Sequence, residues 1–352
     1  MVSIVDVARH AGVSTATVSA VINEKEWVKD GLRERVQAAI EAVGYRPNFI
    51  ARSLKSGRSG TIGMLVSDIS NPFFASVVQS VSCLSYESDY SIVLASSDED
   101  PEKEASYFSV LVQRMIDGLI LAPSSQDREC AEMLSGLTIP VVLLDRAFAP
   151  ARFDAVVVDN RQGVRDAVEH LTSLGHRRIG FVAGPRNVWT AEERHQGYLD
   201  ALAAAAIAYD ETLVRWGNFN EDSGYAAATN MMRLGEPPTA IFASNNKMMV
   251  GVTLALRDCG LRCPDDVSIA SFDDFEWAPA FSPALTVVRQ PIDRIAEAVT
   301  SLLLSRIKDG SDLPPRTVTL PTELVIRGST RRLSAVAGGT GARDGGESSP
   351  PF

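Results

Sequence analysis

Between residues 61 and 328 the chain alternates short apolar runs with helical patterns, and no other feature restricts the fold as much. The runs are TIGMLV (61–66), SIVLAS (91–96), DGLILA (117–122), PVVLLD (140–145), AVVV (155–158), RIGFVAG (178–184), AIFAS (240–244), VSIASFD (267–273), LTVVRQ (285–290) and TVTLPTELVIRG (317–328). Helical patterns fill most of the gaps, at 74–88, 101–115, 162–174, 191–206, 222–234, 247–259 and 291–308. Near-continuous Val/Ile/Leu strands interleaved with helices predict α/β architecture, with parallel sheets covered on both faces. Ten strands over this length fit two doubly wound sheets better than one. GTIGMLV and RRIGFVAG open two similar series, so two lobes are expected to face each other across a cleft at the carboxyl ends of their strands.

The first 45 residues have another texture. SIVDVARHA (3–11) places Ile4, Val5, Ala8 and Ala11 at helical spacing, and Ser3 with Asp6 matches a capping box. Gly12 can end that helix in the left-handed conformation, and Ser14 can cap a second one facing inward through Val18, Val21 and Ile22. A third, about 30–43, would bury Leu32, Val36, Ala39, Ile40 and Val43. Three short helices with a glycine turn between the first two outline a helix-turn-helix domain. Its second helix is crowded with Thr15, Ala16, Thr17, Ser19 and Ala20, and short hydroxyl and methyl side chains suit a face that must approach base edges.

Charge supports that division. The 352 residues carry a net charge of -10, yet residues 1–60 hold nine Lys/Arg against six Asp/Glu, leaving 25 against 38 for the rest. A basic module on an acidic body confines contact with an anionic polymer to the module. RPNFIARSLKSGRSG (46–60) reads as a basic linker, and the Gly/Ser/Pro-rich end as disordered. Four scattered cysteines make no disulfide framework, and buried, reduced thiols are expected. Without a secretory signal pattern or a long apolar run, a cytoplasmic protein associated with the nucleoid and with no membrane contact is expected. A solute-binding protein for transport would share the two lobes but need an export signal. An enzyme is disfavoured because G-x-x-x-x-G-K-[ST], G-x-S-x-G and metal-spaced His/Cys clusters are absent from the sequence.

The chain resembles the LacI/GalR (lactose/galactose repressor) family of bacterial transcription regulators over about residues 2–328. The resemblance is carried by VSIVDVARHAGVSTATVSAVIN, GYRPNFIARSLKSGRSGTIGMLVSDISNPFF, DGLILAP, LLDR, HLTSLGHRRIGFVAGP, ERHQGY, PTAIFASNN and SIASFDDFEWA. It implies a helix-turn-helix domain over 1–46, a hinge helix over 47–60, an effector-binding and dimerisation body over 61–328 resembling periplasmic sugar-binding proteins, and a tail over 329–352. It further implies a repressor acting as a homodimer on near-palindromic operator DNA, controlled by a small metabolite, with no cofactor. Thr15, Ala16 and Ala20 occupy its base-contacting places; Ser14, Thr17, Ser19 and Asn23 occupy its phosphate-contacting ones, with Ser3 and Ile4 completing that end. In the hinge, Leu54 is the expected minor-groove wedge, helped by Ala51, with Arg52, Lys55 and Arg58 near phosphates.

Position 20 is usually Arg in the family. Ala20 cannot make the bidentate contact to guanine, worth roughly 1–3 kcal/mol per half-site, but could touch a thymine methyl. From the residues alone, Asp68 to Phe74, Asp145, Arg194, Asn245 and Asp273 stand at strand ends, where helix caps and turns are an equally good reading of Asn71, Asn245 and Asp273. The resemblance implies effector contacts at Phe73, Phe74, Asp145, Arg194, Asn245, Asp273 and Gln290, with Thr190 and Phe219 at the rim. Arginine with carboxylates and aromatic faces suits a sugar or sugar derivative, and Trp189 is a further candidate for the cleft.

Overall fold

The structure, a computed structural model, describes residues 2–22, 25, 27–45, 58–148, 150–310 and 314–333. It forms two compact units, the first running to Thr61 and including Met115–Asp117, the second taking the rest.

The first unit contains α1 (Ile4–Ala11), α2 (Thr15–Ile22) and α3 (Asp30–Val43). The Asp6 carboxylate accepts from the Ser3 backbone N–H at 2.9 Å and from its hydroxyl at 2.7 Å. Gly12, at φ 63°, ends α1 in a conformation that costs a residue with a Cβ. Thr17 N–H then donates to Ser14 Oγ at 3.1 Å and starts α2. The core is small: Val7, Ala8, Ala11, Val18, Ala20, Val21, Val28, Val36 and Ala39. Two expectations are corrected here. Val5 is 49% exposed and Val7 fully buried, because a helix returns to the same face at steps of three and four, through Ile4, Val7, Ala8 and Ala11. Ala20 is 7% exposed and packs into this core, so its methyl is not offered to a thymine. An alanine ends at Cβ, and at this position Cβ lies on the inner edge of α2; only a longer side chain would reach the outer face.

In the second unit, the first sheet holds β1 (Thr61–Val66), β2 (Ser91–Ser96), β3 (Gly118–Leu121), β4 (Val141–Leu144), β5 (Asp154–Val158) and β11 (Thr317–Leu320) in the order 2-1-3-4-5-11. The second holds β6 (Ile179–Ala183), β7 (Val214–Trp216), β8 (Ala240–Ala243), β9 (Ser268–Phe272), β10 (Thr286–Arg289) and β12 (Glu323–Val325) in the order 7-6-8-9-10-12. The first five strands of each series thus follow one doubly wound topology, with a ligand crevice at the point where strand order reverses. Helices α4 (Pro72–Glu87), α5 (Pro101–Gln113), α6 (Arg128–Ser135) and α11 (Ile292–Asp309) belong to the first lobe. The second lobe has α7 (Asn160–Ser173), α8 (Trp189–Ala204), α9 (Glu221–Met232) and α10 (Asn246–Asp258). Since β5 leads into α7, β10 into α11 and β11 into β12, the chain crosses between lobes three times.

The run 317–328 is two strands on two sheets, since Pro321 has no N–H to continue a ladder. β12 pairs with β10 antiparallel (Val287 with Val325), one edge of an otherwise parallel sheet. The described cysteines are free, but Cys83 and Cys259 are exposed, not buried as expected. No helix among the described residues is long and apolar enough to cross a membrane.

Candidate functional site

All nine anticipated effector residues, Phe73, Phe74, Asp145, Thr190, Arg194, Phe219, Asn245, Asp273 and Gln290, line one small cavity between the lobes, joined by Asp68, Asn71, Glu99 and Arg146. Trp189 does not line it; its backbone N–H donates across the lobes to Gln126 Oε1 at 2.8 Å.

Topology explains the two central carboxylates. Asp145 follows β4 and Asp273 follows β9, the equivalent fourth strands of the two series. Each backbone N–H donates at 2.9 Å to the neighbouring strand, Asp145 to Val156 O and Asp273 to Val288 O. Both are left-handed, at φ 67° and 72°, as are Glu99 (60°) and Phe219 (57°). Non-glycine residues held in this region gather where the surrounding structure over-determines them, commonly at binding sites.

Arg194, on α8, is 3% exposed. It donates from Nε to Asn160 Oδ1 at 2.7 Å and from NH1 to Ser244 O at 2.6 Å, with its guanidinium 3.8 Å from the centre of the Phe272 ring. Gln290 Nε2 donates to Asp273 Oδ1 at 2.6 Å. Asn245 caps α10 through Met248 N–H (2.8 Å) and donates to Phe219 O (3.0 Å), so capping and lining coincide in one residue. Gly184 lies against Phe219, where a Cβ would come within 2.1 Å of the ring.

Burial pushes the Asp145 carboxyl up to about 6; Arg194 and Arg146 oppose the rise, while Asp273 and Glu99 add to it. Asp273 is also raised by burial, against the pull of Arg194 and Gln290, and burial lowers Arg194. Asp145 Oδ1, Arg146 Nε and Gln290 Oε1 are buried without a hydrogen-bond partner. Buried polar atoms are nearly always satisfied, so three orphans around one cavity leave hydrogen-bonding capacity open there. Across the mouth, Lys247 Nζ meets Asp68 Oδ2 at 2.8 Å and Ser70 Oγ at 2.9 Å, and Asn246 Nδ2 donates to Asn71 Oδ1 at 3.0 Å.

Glu99 and Arg146 were not anticipated. The only sequence signal was an arginine directly after Asp145 at the end of an apolar run, where a charged side chain must find a buried partner.

On α2, Ser14, Thr15 and Ala16 are exposed, while Thr17 and Ser19 are half-buried. Ser14 Oγ and Thr17 Oγ1 lie 2.9 Å apart. Ser3 and Ile4 are half-buried at the start of α1. The expected contacts at Asn23, Ala51, Leu54 and Lys55 lie outside the described residues, as does Arg52.

A helix-turn-helix unit with a small polar face, joined to a two-lobed body enclosing a polar cavity, defines a DNA-binding regulator that responds to a small ligand. Comparison with known proteins is specific. The profile described as "Bacterial regulatory proteins, lacI family" matches residues 3–48, and that of the "Periplasmic binding protein-like domain" matches 168–330. The chain is 34% identical over 335 residues to the HTH-type transcriptional repressor PurR of Actinobacillus pleuropneumoniae, covering 95% of this chain and all of that one. It is 38% identical over 309 residues to PurR of Photorhabdus laumondii, covering 87% and 91%. Among solved structures, the Lac repressor dimer bound to operator and the anti-inducer ONPF matches with TM-score 0.82 at 28% identity, covering 94% and 99%. The regulator CelR in complex with cellobiose matches with TM-score 0.71 at 33% identity, covering 94% and 100%. The chain belongs to the LacI family of bacterial regulatory proteins. It is a DNA-binding transcriptional repressor under the control of a small-molecule effector.

Proposed function

We propose that the effector is a neutral monosaccharide or close derivative, held between the lobes by Asp145, Arg194, Asn245, Asp273 and Gln290 and flanked by Phe73, Phe74 and Phe219, with Thr190 at the rim. One observation carries this reading: two buried carboxylates and two buried guanidiniums share a cavity in which an acceptor on Asp145, a donor on Arg146 and an acceptor on Gln290 are unpaired. Hydroxyls both donate and accept, so a polyol satisfies such a mixture. Anions are disfavoured, since Asp68, Glu99, Asp145 and Asp273 outnumber Arg146 and Arg194 around the cavity. The complex of CelR with cellobiose, a disaccharide, lends support to a sugar as the class of effector.

At the other end, the small face of α2, with Ser14, Thr15, Ala16, Thr17 and Ser19, enters the major groove, and Ser3, Ile4 and Asn23 meet the backbone. Ala51, Leu54 and Lys55 act at the minor groove as a hinge. The protein works in the cytoplasm, where operator DNA lies, as a homodimer on a near-palindromic site. The exposed Tyr86, Leu94, Tyr107, Val110 and Val112 of the first lobe support self-association, as does the Lac repressor dimer on its operator.

A thermal-shift screen of neutral pentoses and hexoses, sugar phosphates and purine bases tests the effector class. The expected result is stabilisation by a neutral sugar. Stabilisation only by a phosphorylated sugar or a purine would overturn it.

A further inference from the structure

Asn160, the first residue of α7, is buried but does not line the cavity. Both ends of its side-chain amide are used: Oδ1 accepts from Arg194 Nε at 2.7 Å, and Nδ2 donates to the carbonyl of Val158, the last residue of β5, at 3.2 Å. The second bond fixes which way the amide faces, so its oxygen is turned to the guanidinium. Arg194 NH1 is held by Ser244 O, and NH2 makes no hydrogen bond with the described residues, which leaves it for the cavity that Arg194 lines. Packing brings the two side chains together. Gly197, one turn beyond Arg194 on α8, lies so close to α7 that a Cβ would come within 2.3 Å of Arg161 O. Arg161 also grips α8 directly, through Asp200 Oδ2 at 2.5 Å and Oδ1 at 3.0 Å. Since β5 belongs to the first lobe and α7 to the second, Asn160 stands on one of the three crossovers.

We propose that Asn160 is a positioning residue: it sets the direction of the Arg194 guanidinium and ties it to the crossover between β5 and α7, so that a ligand drawing on Arg194 pulls on the joint between the lobes. This assignment rests on Arg194 holding the effector, as read above. A guanidinium on a flexible stem loses rotamer freedom when a ligand engages it, and fixing it beforehand removes that cost from binding. An amide suits the place because it accepts from Arg194 and donates to Val158 at once. A carboxylate would accept from Arg194 but leave the Val158 carbonyl without its donor, and would add a third buried negative charge near Asp145 and Asp273. Serine and alanine are too short to make both bonds. Arg194 is held by Ser244 of its own lobe as well as by Asn160, so its position depends on where the crossover stands relative to β8.

The test uses the full chain, and its first readout needs no ligand: solvent exchange of the Arg194 Nε–H by NMR, the signal assigned by its loss in Arg194→Lys. Exchange is slow in wild type, at least about 10-fold faster in Asn160→Ala with backbone protection of β9 retained, and slow again in Asn160→Asp, which keeps an acceptor for Nε. Equal rates in wild type and Asn160→Ala overturn the assignment. Asn160→Ser replaces Asn160→Ala should the latter fail to fold. The second readout is calorimetric titration with the neutral monosaccharide that binds wild type most tightly. Asn160→Ala weakens it about 10-fold, and the double variant with Arg194→Lys binds it no more weakly than Arg194→Lys alone. Losses that simply add mean that Asn160 acts elsewhere, and overturn the assignment. The third is operator affinity with and without saturating sugar, whose ratio shrinks at least about threefold in Asn160→Ala; an unchanged ratio overturns the tie to the crossover. If wild type binds no neutral sugar, the sugar reading falls, and the exchange measurement alone decides the role of Asn160.

Discussion

Asp145 carries the site's chemistry into a measurable pH dependence. Its carboxyl is raised from 3.8 to about 6 in the folded chain, chiefly by burial, with Arg194, Arg146, Asp273 and Glu99 around it. A carboxyl raised on folding favours the fold when protonated, so its contribution is complete below about pH 4 and lost as pH rises through about 6. Asp145→Asn, which cannot ionise, should therefore raise the melting temperature at pH 7.5, with a smaller gain at pH 5; an equal gain at both would contradict the assignment of that carboxyl. Ala20 makes a residue-scale prediction for DNA. Ala20→Arg, extending from the inner edge of α2, should add a preference for guanine at one position of each half-site, worth about 1–3 kcal/mol. Selection of binding sites from random duplexes would show it, and an unchanged consensus would count against the placement of α2 in the groove. That nine residues from scattered segments would meet in one cavity was legible, because strand-end positions in a doubly wound sheet converge and the family resemblance named them. Arg146 was not, since its role depends on Glu99, 47 positions away, and no spacing rule links the two.

Among elements, the links across the cleft mouth are the most exposed part of the site. Lys247 and Asp68 remain 29% and 20% exposed, so their ion pair contributes only about 0.2–1 kcal/mol. Lys247→Ala should leave the melting temperature nearly unchanged yet speed effector release up to about fivefold, because the pair spans the two lobes. Stopped-flow release with an unaltered rate would show that it does not latch the cleft. Element boundaries were the least legible feature of the fold. β7 spans three residues, too short for its periodicity to stand out. Within the helix-turn-helix, a small core of alanines and valines made Val5 and Val7 hard to rank, and Ala20 looked like an outward residue because its neighbours are polar.

For the whole molecule, the repeated strand order and the three crossovers matter most. Three short connections join the lobes, so closure on a ligand in the cavity is the expected route by which binding changes the body as a unit. Sedimentation should find a dimer, paired through the exposed apolar side chains of the first lobe; a tetramer would contradict that. Leu54→Ala should bend operator DNA less than wild type, and an unchanged bend angle would remove the wedge from the account. The central claim is that a neutral sugar in the cleft sets operator affinity. Fluorescence anisotropy of a labelled operator, titrated with full-length protein with and without the sugar found by thermal shift, tests it most directly. The account predicts a shift of about 5- to 150-fold in wild type, greatly reduced in Asp273→Asn. A sugar that binds the protein yet leaves operator affinity unchanged would contradict it.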